Sequence, residues 1–244
     1  MSLPRFYAPA ARANAGPIVL PADEAHHLTH VLRLRVGSDV AIFDGAGHEW
    51  TGRVASIGRR EVRIDLGEAV SPVAEPSVRI TLAMAVLKGD RMDVAVRDAT
   101  ALGVATIVPM TTAHLAVPAR AWQSTSAIDR WQRVAVAAAK QSRRAVVPAV
   151  SAVMSFEAVL RRVRDTTALI CVEPIRIPAK ASDPNRSRPP EAWLLVGPEG
   201  GWTTEEVEAA RGAGVEPLSL GPRTIRAELA PIVALSSLWT RWGW

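Results

Sequence analysis

Hydrophobic and polar residues alternate differently in the two parts of this chain. Up to about residue 71, short apolar stretches alternate with polar positions at the two-residue period of half-buried strands. This pattern predicts strands at residues 18–20, 40–43, 49–57 and 61–66. The sequence Asp44-Gly45-Ala46-Gly47 predicts the turn between two of them, because its glycines accept positive φ angles. Short strands around a single helix predict a small β-barrel.

The helix in this first region is predicted to begin at Pro21, with acidic residues in its first turn and a buried face formed by Leu28, Val31 and Leu32. It also carries three histidines. His26 and His30 are four residues apart, a spacing that suits two metal ligands on one helix face, but no third ligand follows nearby. We therefore predict no metal site and interpret the histidines as an exposed polar edge suited to RNA phosphates.

From residue 77 onward, apolar strands alternate with helical patterns. Strands are predicted at residues 78–86, 104–108, 168–172 and 192–196, and Leu115 to Val117 is a further candidate. Helices are predicted at residues 90–103, 121–142, 156–163 and 203–212, followed by one at the C-terminus. Such alternation predicts an α/β domain with a mainly parallel sheet. The proline-rich segment 71–76 separates domains predicted at 1–72 and 77–244, and residues 174–190 are predicted to form a surface loop.

Two Gly/Pro loops in the last fifty residues are the best candidates for a ligand site. Gly197-Pro198-Glu199-Gly200-Gly201 follows a strand, and Leu220-Gly221-Pro222-Arg223-Thr224-Ile225-Arg226-Ala227-Glu228 follows a second strand-like segment. At the carboxyl ends of parallel strands, two such loops would line one crevice. Glycine allows a ligand to approach the backbone closely, although a simple tight turn would also explain the first loop. Thr203 and Glu206 predict a capping box at the start of the next helix.

Composition adds a preference for an anionic partner. The chain has 29 Lys and Arg against 24 Asp and Glu, for a net charge of +5 and a pI near 10.3, which favours nucleic acid. Cys171, the single cysteine, is predicted to be a core residue. No apolar run reaches the length of a membrane span, and the N-terminus lacks the hydrophobic region of a signal peptide. We therefore predict a cytoplasmic protein without membrane contact.

The two C-terminal loops closely resemble the paired signatures of the RsmE family. These are SPOUT-class methyltransferases that act on N3 of a uridine in 16S rRNA of the small ribosomal subunit. Weaker similarity extends over nearly the whole chain, including Pro4-Arg5-Phe6-Tyr7, Phe43-Asp44-Gly45 and Lys140-Gln141-Ser142.

The resemblance implies a fold and a cofactor that residue spacing alone does not. The expected fold is α/β, with a C-terminal SPOUT trefoil-knot domain, a mainly parallel sheet and a small N-terminal PUA-like β-barrel that binds RNA. The expected cofactor is S-adenosyl-L-methionine, and the expected assembly is a homodimer. The cofactor-binding residues implied are Val196, Gly197, Pro198, Glu199, Gly200, Leu220, Gly221 and Ile225.

Methylation of uracil N3 requires loss of the N3 proton, which leaves negative charge on the base. Arg226 is the first candidate to stabilise that charge and Arg223 the second. Glu228 or Glu199 could accept the proton, but Glu228 could instead cap the last helix and pair with Arg226. The predicted RNA-binding residues are Arg5, His27, Arg33 and Arg144, although Arg144 could equally complement a helix dipole.

The chain departs from the family pattern at two places. Leu229-Ala230-Pro231 stands where the family usually has Thr and small residues, and Ala101 stands where it usually has Glu. These departures keep two alternatives open: a SPOUT methyltransferase for another RNA, or a catalytically silent RNA-binding or ribosome-assembly protein. Pro231 is compatible with a helix that starts near Leu229 but would kink one that starts at Arg226. Part of the dimer surface is predicted on the final helix, at Ile232, Leu235, Leu238, Trp239 and Trp242.

Overall fold

A computed structural model of the chain describes residues 3–13, 16–59, 61–115, 125–173 and 188–243. The chain divides into two compact units. The first comprises Met1–Glu75 and Val136–Val147, and the second comprises Pro76–Ala135 and Pro148–Trp244. Most of the candidate strand at 115–117, the start of the predicted helix at 121 and nearly all of the predicted loop at 174–190 lie outside the described residues.

The first unit is built on one five-stranded sheet, in the order β1-β3-β4-β5-β2. β1 runs parallel to β3, and the other neighbouring pairs are antiparallel. Register shifts between β4 and β5 indicate β-bulges, which increase the local twist of a sheet. The prediction of a small β-rich unit is therefore confirmed. Its strands are β1 (Arg5–Tyr7), β2 (Ile18–Val19), β3 (Asp39–Phe43), β4 (Glu49–Ile57) and β5 (Val62–Val70).

The helix of the first unit differs from its prediction. α1 (Ala22–His26) continues into a single π-helical turn, His27–Val31, in which the Leu32 amide donates to the His27 carbonyl at 3.0 Å. The wider turn changes which positions face inward. Leu28 is fully buried as predicted, but Val31 and Leu32 are 59% and 40% exposed. The prediction that these two residues face the core is wrong.

The predicted turn after β3 is confirmed and is held by Asp44. One carboxylate oxygen accepts the Ala46 and His48 amides at 2.7 and 3.0 Å, and the other lies 2.8 Å from His48 Nδ1. Burial favours a higher pKa for Asp44, but the backbone amides of His48 and Ala46 outweigh it and hold this pKa below its ordinary value. Gly45 and Gly47 have positive φ angles of 78° and 100°, as the turn requires.

The second unit is an α/β fold around a seven-stranded sheet, in which every neighbouring pair is parallel. The order is β12-β10-β11-β6-β7-β8, and β9 also pairs with β7. This confirms the predicted mainly parallel sheet. The strands are β6 (Arg79–Ala85), β7 (Thr106–Thr111), β8 (Ala149–Val150), β9 (Met154–Ser155), β10 (Ala168–Val172), β11 (Glu191–Val196) and β12 (Glu216–Ser219). The helices are α2 (Arg91–Ala101), α3 (Thr125–Gln141), α4 (Phe156–Val163), α5 (Thr204–Gly212) and α6 (Ala230–Trp242), and the last turns of α3 belong to the first unit.

The final helix begins where its sequence permits. α6 starts at Ala230, which places Pro231 in the first turn, where the missing N–H has no partner to lose. Leu235, Leu238, Trp239 and Trp242 are all buried within the chain, so most of the apolar residues predicted for a dimer surface are used internally. None of the helices in the described part of the chain combines the length and hydrophobicity needed to cross a membrane.

Candidate active site

The two signature loops meet at one edge of the second sheet. β10 lies between β11 and β12, and all three strands are parallel, so their carboxyl ends are neighbours. A cavity of about 460 Å³ opens there. It is lined by Arg91, Cys171, Val172, Glu173, Val196, Gly197, Pro198, Glu199, Gly201, Trp202, Leu220, Gly221, Arg223, Thr224, Ile225, Arg226, Ala227, Glu228 and Ala230. The predicted crevice is therefore present, and the end of β10 forms part of its wall.

The cavity brings together nearly all residues predicted for cofactor and catalysis. Arg223, Arg226 and Glu228 line it, as do seven of the eight predicted cofactor residues. The exception is Gly200, which belongs to the first loop but is not part of the lining. Sequence reasoning did not single out Glu173 or Trp202, which also line the cavity.

The first loop folds closely over a buried indole. Trp202 is buried, and its Nε1 donates to the Cys171 carbonyl at 2.8 Å. A Cβ atom on Gly197 would lie 2.9 Å from the Trp202 ring, which is closer than real Cβ contacts. Position 197 therefore requires glycine for packing.

The middle of the first loop is a tight turn anchored to the start of α2. The Gly201 amide donates to the Pro198 carbonyl at 3.0 Å, and Gly201 has a φ of 70°. The Glu199 carboxylate accepts the Lys88 amide at 3.2 Å and Arg91 Nη1 at 3.1 Å. Asp90 is the N-cap residue of α2, as predicted, but its side chain makes no capping bond. Glu199 therefore ties the first loop to the segment that leads into α2 and to the side chain of its first residue.

The loop ends in the predicted capping box. Thr203 Oγ1 accepts the Glu206 amide at 3.1 Å, and Glu206 Oε2 accepts the Thr203 amide at 2.9 Å. The other oxygen of Glu206 accepts the amide of Ala113, a residue just beyond β7, at 2.8 Å. The neighbouring His114 contacts the carbonyls of Gly200 and Gly201. The contribution of residues 113 and 114 was not predicted, because a lone histidine in a loop produces no recognisable spacing.

The second loop leaves its charged groups available. Arg223 and Arg226 are exposed, and neither guanidinium has a hydrogen-bond or ion-pair partner within the described residues. Glu228 Oε2 is buried and also lacks a partner there. The N-cap of α6 is Leu229, and no side chain caps this helix. The arrangement in which Glu228 caps α6 and pairs with Arg226 is not formed.

Cys171 is the neutral member of the cavity wall. Its side chain is buried, and burial raises the pKa of the thiol to about 12, so it stays protonated at neutral pH. The charges around the cavity come instead from carboxylates of Glu173, Glu199 and Glu228 and guanidinium groups of Arg91, Arg223 and Arg226. A ligand that carries both signs of charge would suit such a wall.

Two of the predicted RNA-binding arginines are held inside the first unit. The Arg5 side chain is 7% exposed, pairs with both Glu49 oxygens at 3.1 and 2.8 Å, and donates to the carbonyls of Ala139, Lys140 and Arg144. The Arg144 side chain is 5% exposed and pairs with Glu75 at 3.0 and 2.5 Å. In this arrangement both guanidinium groups stabilise the unit.

The other two predicted RNA-binding residues, His27 and Arg33, lie on or near the surface of the first unit. Arg33 is exposed and has a positive φ of 53°, and His27 is half-buried with its ring edge against Phe6. His26 and His30 stack, with ring centroids 4.4 Å apart.

The sequence matches two domain families, one in each part of the chain. The profile described as an RNA methyltransferase domain matches residues 74–239, about two thirds of the chain. The profile described as an RNA methyltransferase PUA domain matches residues 20–67, within the first unit.

Several proteins that share one name align with nearly the whole chain. Ribosomal RNA small subunit methyltransferase E from a Synechocystis strain is 34% identical over 91% of this chain and 72% of the relative. The Bacillus subtilis protein of that name is 29% identical over 90% and 88% of the two chains. The crystal structure of ribosomal RNA small subunit methyltransferase E from Neisseria gonorrhoeae, bound to S-adenosyl methionine, superposes with a TM-score of 0.89, 31% identity and 98% coverage of both chains. The chain therefore belongs to the RNA methyltransferase family, in the group named ribosomal RNA small subunit methyltransferase E, and it is an rRNA methyltransferase.

Proposed function

We propose that this enzyme transfers a methyl group from S-adenosyl-L-methionine to N3 of a uracil in 16S rRNA of the small ribosomal subunit. One observation carries the proposal: a single cavity brings together both signature loops, the guanidinium groups of Arg223 and Arg226, and a carboxylate oxygen of Glu228, none of which has a partner among the described residues. The cofactor assignment is supported by the Neisseria gonorrhoeae relative, which has the same fold and whose crystal structure contains bound S-adenosyl methionine.

The cavity suits this cofactor in size and charge. Its volume of about 460 Å³ lies within the usual range for small-molecule sites. When bound, S-adenosylmethionine supplies a methyl group on a positively charged sulfur, and its amino acid part carries one charge of each sign. The residues that would hold it are those predicted in the two loops: Val196, Gly197, Pro198, Glu199, Leu220, Gly221 and Ile225. Gly200 would act from the rear of the first loop, away from the cavity.

Arg226 is the proposed electrostatic catalyst. A uracil that has lost its N3 proton carries negative charge on its carbonyl oxygens, and a fixed guanidinium stabilises such charge as it develops. Arg226 lines the cavity, is exposed and has no other partner among the described residues. Arg223 shares these properties and is the second candidate.

Glu228 is the preferred proton acceptor over Glu199. The Glu199 carboxylate is already engaged, because its Oε1 accepts hydrogen bonds from the Lys88 amide and Arg91 Nη1. Glu228 Oε2 is buried at the cavity without a partner among the described residues, and it is therefore free to bind a proton from the base.

The RNA must present an unpaired base, because N3 is the position that pairs in a duplex. We place phosphate contacts of the first unit at His27 and Arg33, which lie closest to solvent among the predicted RNA-binding residues. Arg5 and Arg144 would support that surface from within, through their pairs with Glu49 and Glu75.

The proposal also includes the family features that follow from the resemblance. These are an RNA-binding module over residues 1–72, a knotted methyltransferase module over residues 77–244, a homodimer and a cytoplasmic location. In support of a dimer, Leu229 is 45% exposed and the adjacent Ile232 and Val233 are half-buried, which leaves an apolar strip at the start of α6. Sedimentation at micromolar concentration tests this, and a monomer would contradict it.

Two experiments test the activity. Isothermal titration of the purified chain with S-adenosylmethionine is expected to give a one-site binding curve, and absence of binding would contradict enzyme function. Mapping of modified bases in small-subunit rRNA from a deletion strain is expected to show loss of one N3-methyluridine. If every such base persisted while another RNA lost its methyl group, the substrate would be that other RNA.

A further inference from the structure

The rear face of the first loop is fixed by two residues that follow β7. His114 Nδ1 lies 3.1 Å from the Gly200 carbonyl oxygen and 3.2 Å from the Gly201 carbonyl oxygen. Both partners are acceptors, so Nδ1 must carry the proton and donate to both. The contact is close: a Cβ atom on Gly200 would lie 2.9 Å from His114 Cβ.

A second bond runs in the same direction, from the segment after β7 to the helix that follows the first loop. The Ala113 amide donates to Glu206 Oε1 at 2.8 Å, while Glu206 Oε2 accepts the Thr203 amide at 2.9 Å. The segment after β7 is therefore the donor in all of these bonds: the His114 side chain donates to the two loop carbonyls, and the Ala113 amide donates to Glu206 in α5. Glu206 is buried, and removal of its partner would leave a charged oxygen unpaired.

The first loop consequently has two faces with different tasks. Gly197, Pro198, Glu199, Gly201 and Trp202 line the cavity, whereas Gly200 does not and instead packs against His114. The turn 198–201 has only one internal backbone bond, from the Gly201 amide to the Pro198 carbonyl. Without an outside partner, the two peptide groups that follow Gly200 and Gly201 could rotate, since glycine restricts them little.

We propose that His114 is a positioning residue for the cofactor loop: by holding the Gly200 and Gly201 carbonyls, it keeps the loop in its binding conformation. The inference rests on the proposed function, because it takes the first loop as the site of S-adenosylmethionine. Its expected effect is on cofactor affinity rather than on the methyl-transfer step, since His114 contacts only the rear of the loop. His114 is itself exposed, so the effect of its hydrogen bonds is modest.

The test compares His114→Ala with His114→Asn. Alanine keeps the Cβ contact with Gly200 but removes the donor, whereas the Asn Nδ2 group stands close to the position of Nδ1 and can donate to the same carbonyls. By calorimetry, His114→Ala is expected to raise the Kd for S-adenosylmethionine about fivefold, and His114→Asn is expected to stay within about twofold of the parent. Arg211→Ala, on the exposed face of α5, is the matched control with parental affinity.

Kinetics and amide exchange separate positioning from a general structural effect. In His114→Ala, the KM for S-adenosylmethionine is expected to rise about fivefold, while kcat, the KM for RNA and the melting temperature stay unchanged. Without cofactor, the Gly201 amide is expected to exchange faster with solvent in His114→Ala than in the parent or His114→Asn.

Three outcomes are decisive. Parental affinity and parental Gly201 exchange in His114→Ala would overturn the inference, and so would failure of His114→Asn to restore both. If the parent chain itself did not bind S-adenosylmethionine, the proposed function would fail. The exchange measurement would still report whether His114 holds the loop.

Discussion

The two loops that line the cavity are built in opposite ways. The first loop, residues 197–203, is held by Glu199 at the start of α2, by His114 behind Gly200 and Gly201, and by the capping box of α5. The second loop, residues 220–229, ends in a backbone turn in which the amides of Leu229 and Ala230 donate to the Arg226 carbonyl. Among the described residues, the one hydrogen bond between this loop and a side chain is long, 3.4 Å, from the Gly221 amide to Ser219 Oγ.

This difference in hydrogen bonding indicates that the two loops have different functions. A loop whose polar groups are already paired presents a fixed surface, and such preorganisation reduces the entropic cost of binding a ligand. A loop with unpaired guanidinium and carboxylate groups keeps them available for charge that develops on a substrate. We therefore expect changes in the first loop to act mainly on cofactor affinity and changes to the charged residues of the second loop to act mainly on turnover.

Arg226→Ala should give the largest effect and tests the second half of this comparison. Loss of one electrostatic contact to a developing anion typically costs about 100- to 1000-fold in kcat. We expect a loss of that order in single-turnover methylation of small-subunit RNA, with the Kd for S-adenosylmethionine changed less than about threefold. Arg223→Ala is the matched control, as its guanidinium is exposed in the same loop, and a smaller loss is expected. Near-parental turnover in Arg226→Ala would remove this residue from the chemistry.

Gly197→Ala tests the other half of the comparison, in which the first loop determines cofactor affinity. The added methyl group would lie 2.9 Å from the Trp202 indole, which is buried and bonded to the Cys171 carbonyl, so the loop rather than the ring must shift. Overpacking of this kind costs about 1–3 kcal/mol, and we expect the Kd for S-adenosylmethionine to rise about 30-fold. At saturating cofactor, kcat should fall much less. Gly212→Ala, where nothing lies near the added Cβ, is the control. A loss confined to kcat would reverse the assignment of the loops.

The sequence predicted the local parts of both loops but not their long-range partners. Thr203 and Glu206 form the predicted capping box because its partners are three residues apart. Pro231 was compatible with only one start of the last helix, and that start is observed. By contrast, His114 meets Gly200 across 86 residues of chain, and no pattern in either segment indicates this contact.

Burial explains the clearest difference between predicted and observed side-chain environments. The sequence predicts RNA contacts for Arg5 and Arg144, but in the structure Glu49 and Glu75 pair with them from 44 and 69 residues away. Residue types show which side chains are charged but not which of them form ion pairs, because a buried arginine–glutamate pair and two solvated side chains look the same in the sequence. A regular helical period predicts that Val31 and Leu32 face the core, but the π-helical turn at His27–Val31 interrupts that period.

The Asp44 turn extends the comparison to a third loop, one that resembles the first because its own hydrogen bonds define it. Asp44→Asn keeps one acceptor oxygen but loses the charge that faces His48 Nδ1 and the amides, so about 1 kcal/mol of stability at pH 7 should be lost. The folded pKa of Asp44 is lowered, so its stabilisation is present above the unfolded pKa and disappears as pH falls through the folded value. Urea unfolding should therefore show a difference between the two chains at pH 7 that shrinks in acid. A difference that does not depend on pH would contradict this role for the carboxylate.

Leu229→Thr should give the smallest effect and sharpens the boundary of the second loop. This substitution restores the residue type usual in the family, and a hydroxyl at the N-cap can in general stabilise a helix. Leu229, however, does not line the cavity, and its backbone is already helical, with φ −88° and ψ −27°, instead of the extended conformation that side-chain capping uses. We therefore expect the Kd for S-adenosylmethionine and kcat to stay within about twofold of the parent. A tenfold gain in affinity would show that the end of the second loop, and not only Leu220, Gly221 and Ile225 at its start, shapes the cofactor site, and residues 226–229 could then no longer be assigned to turnover alone.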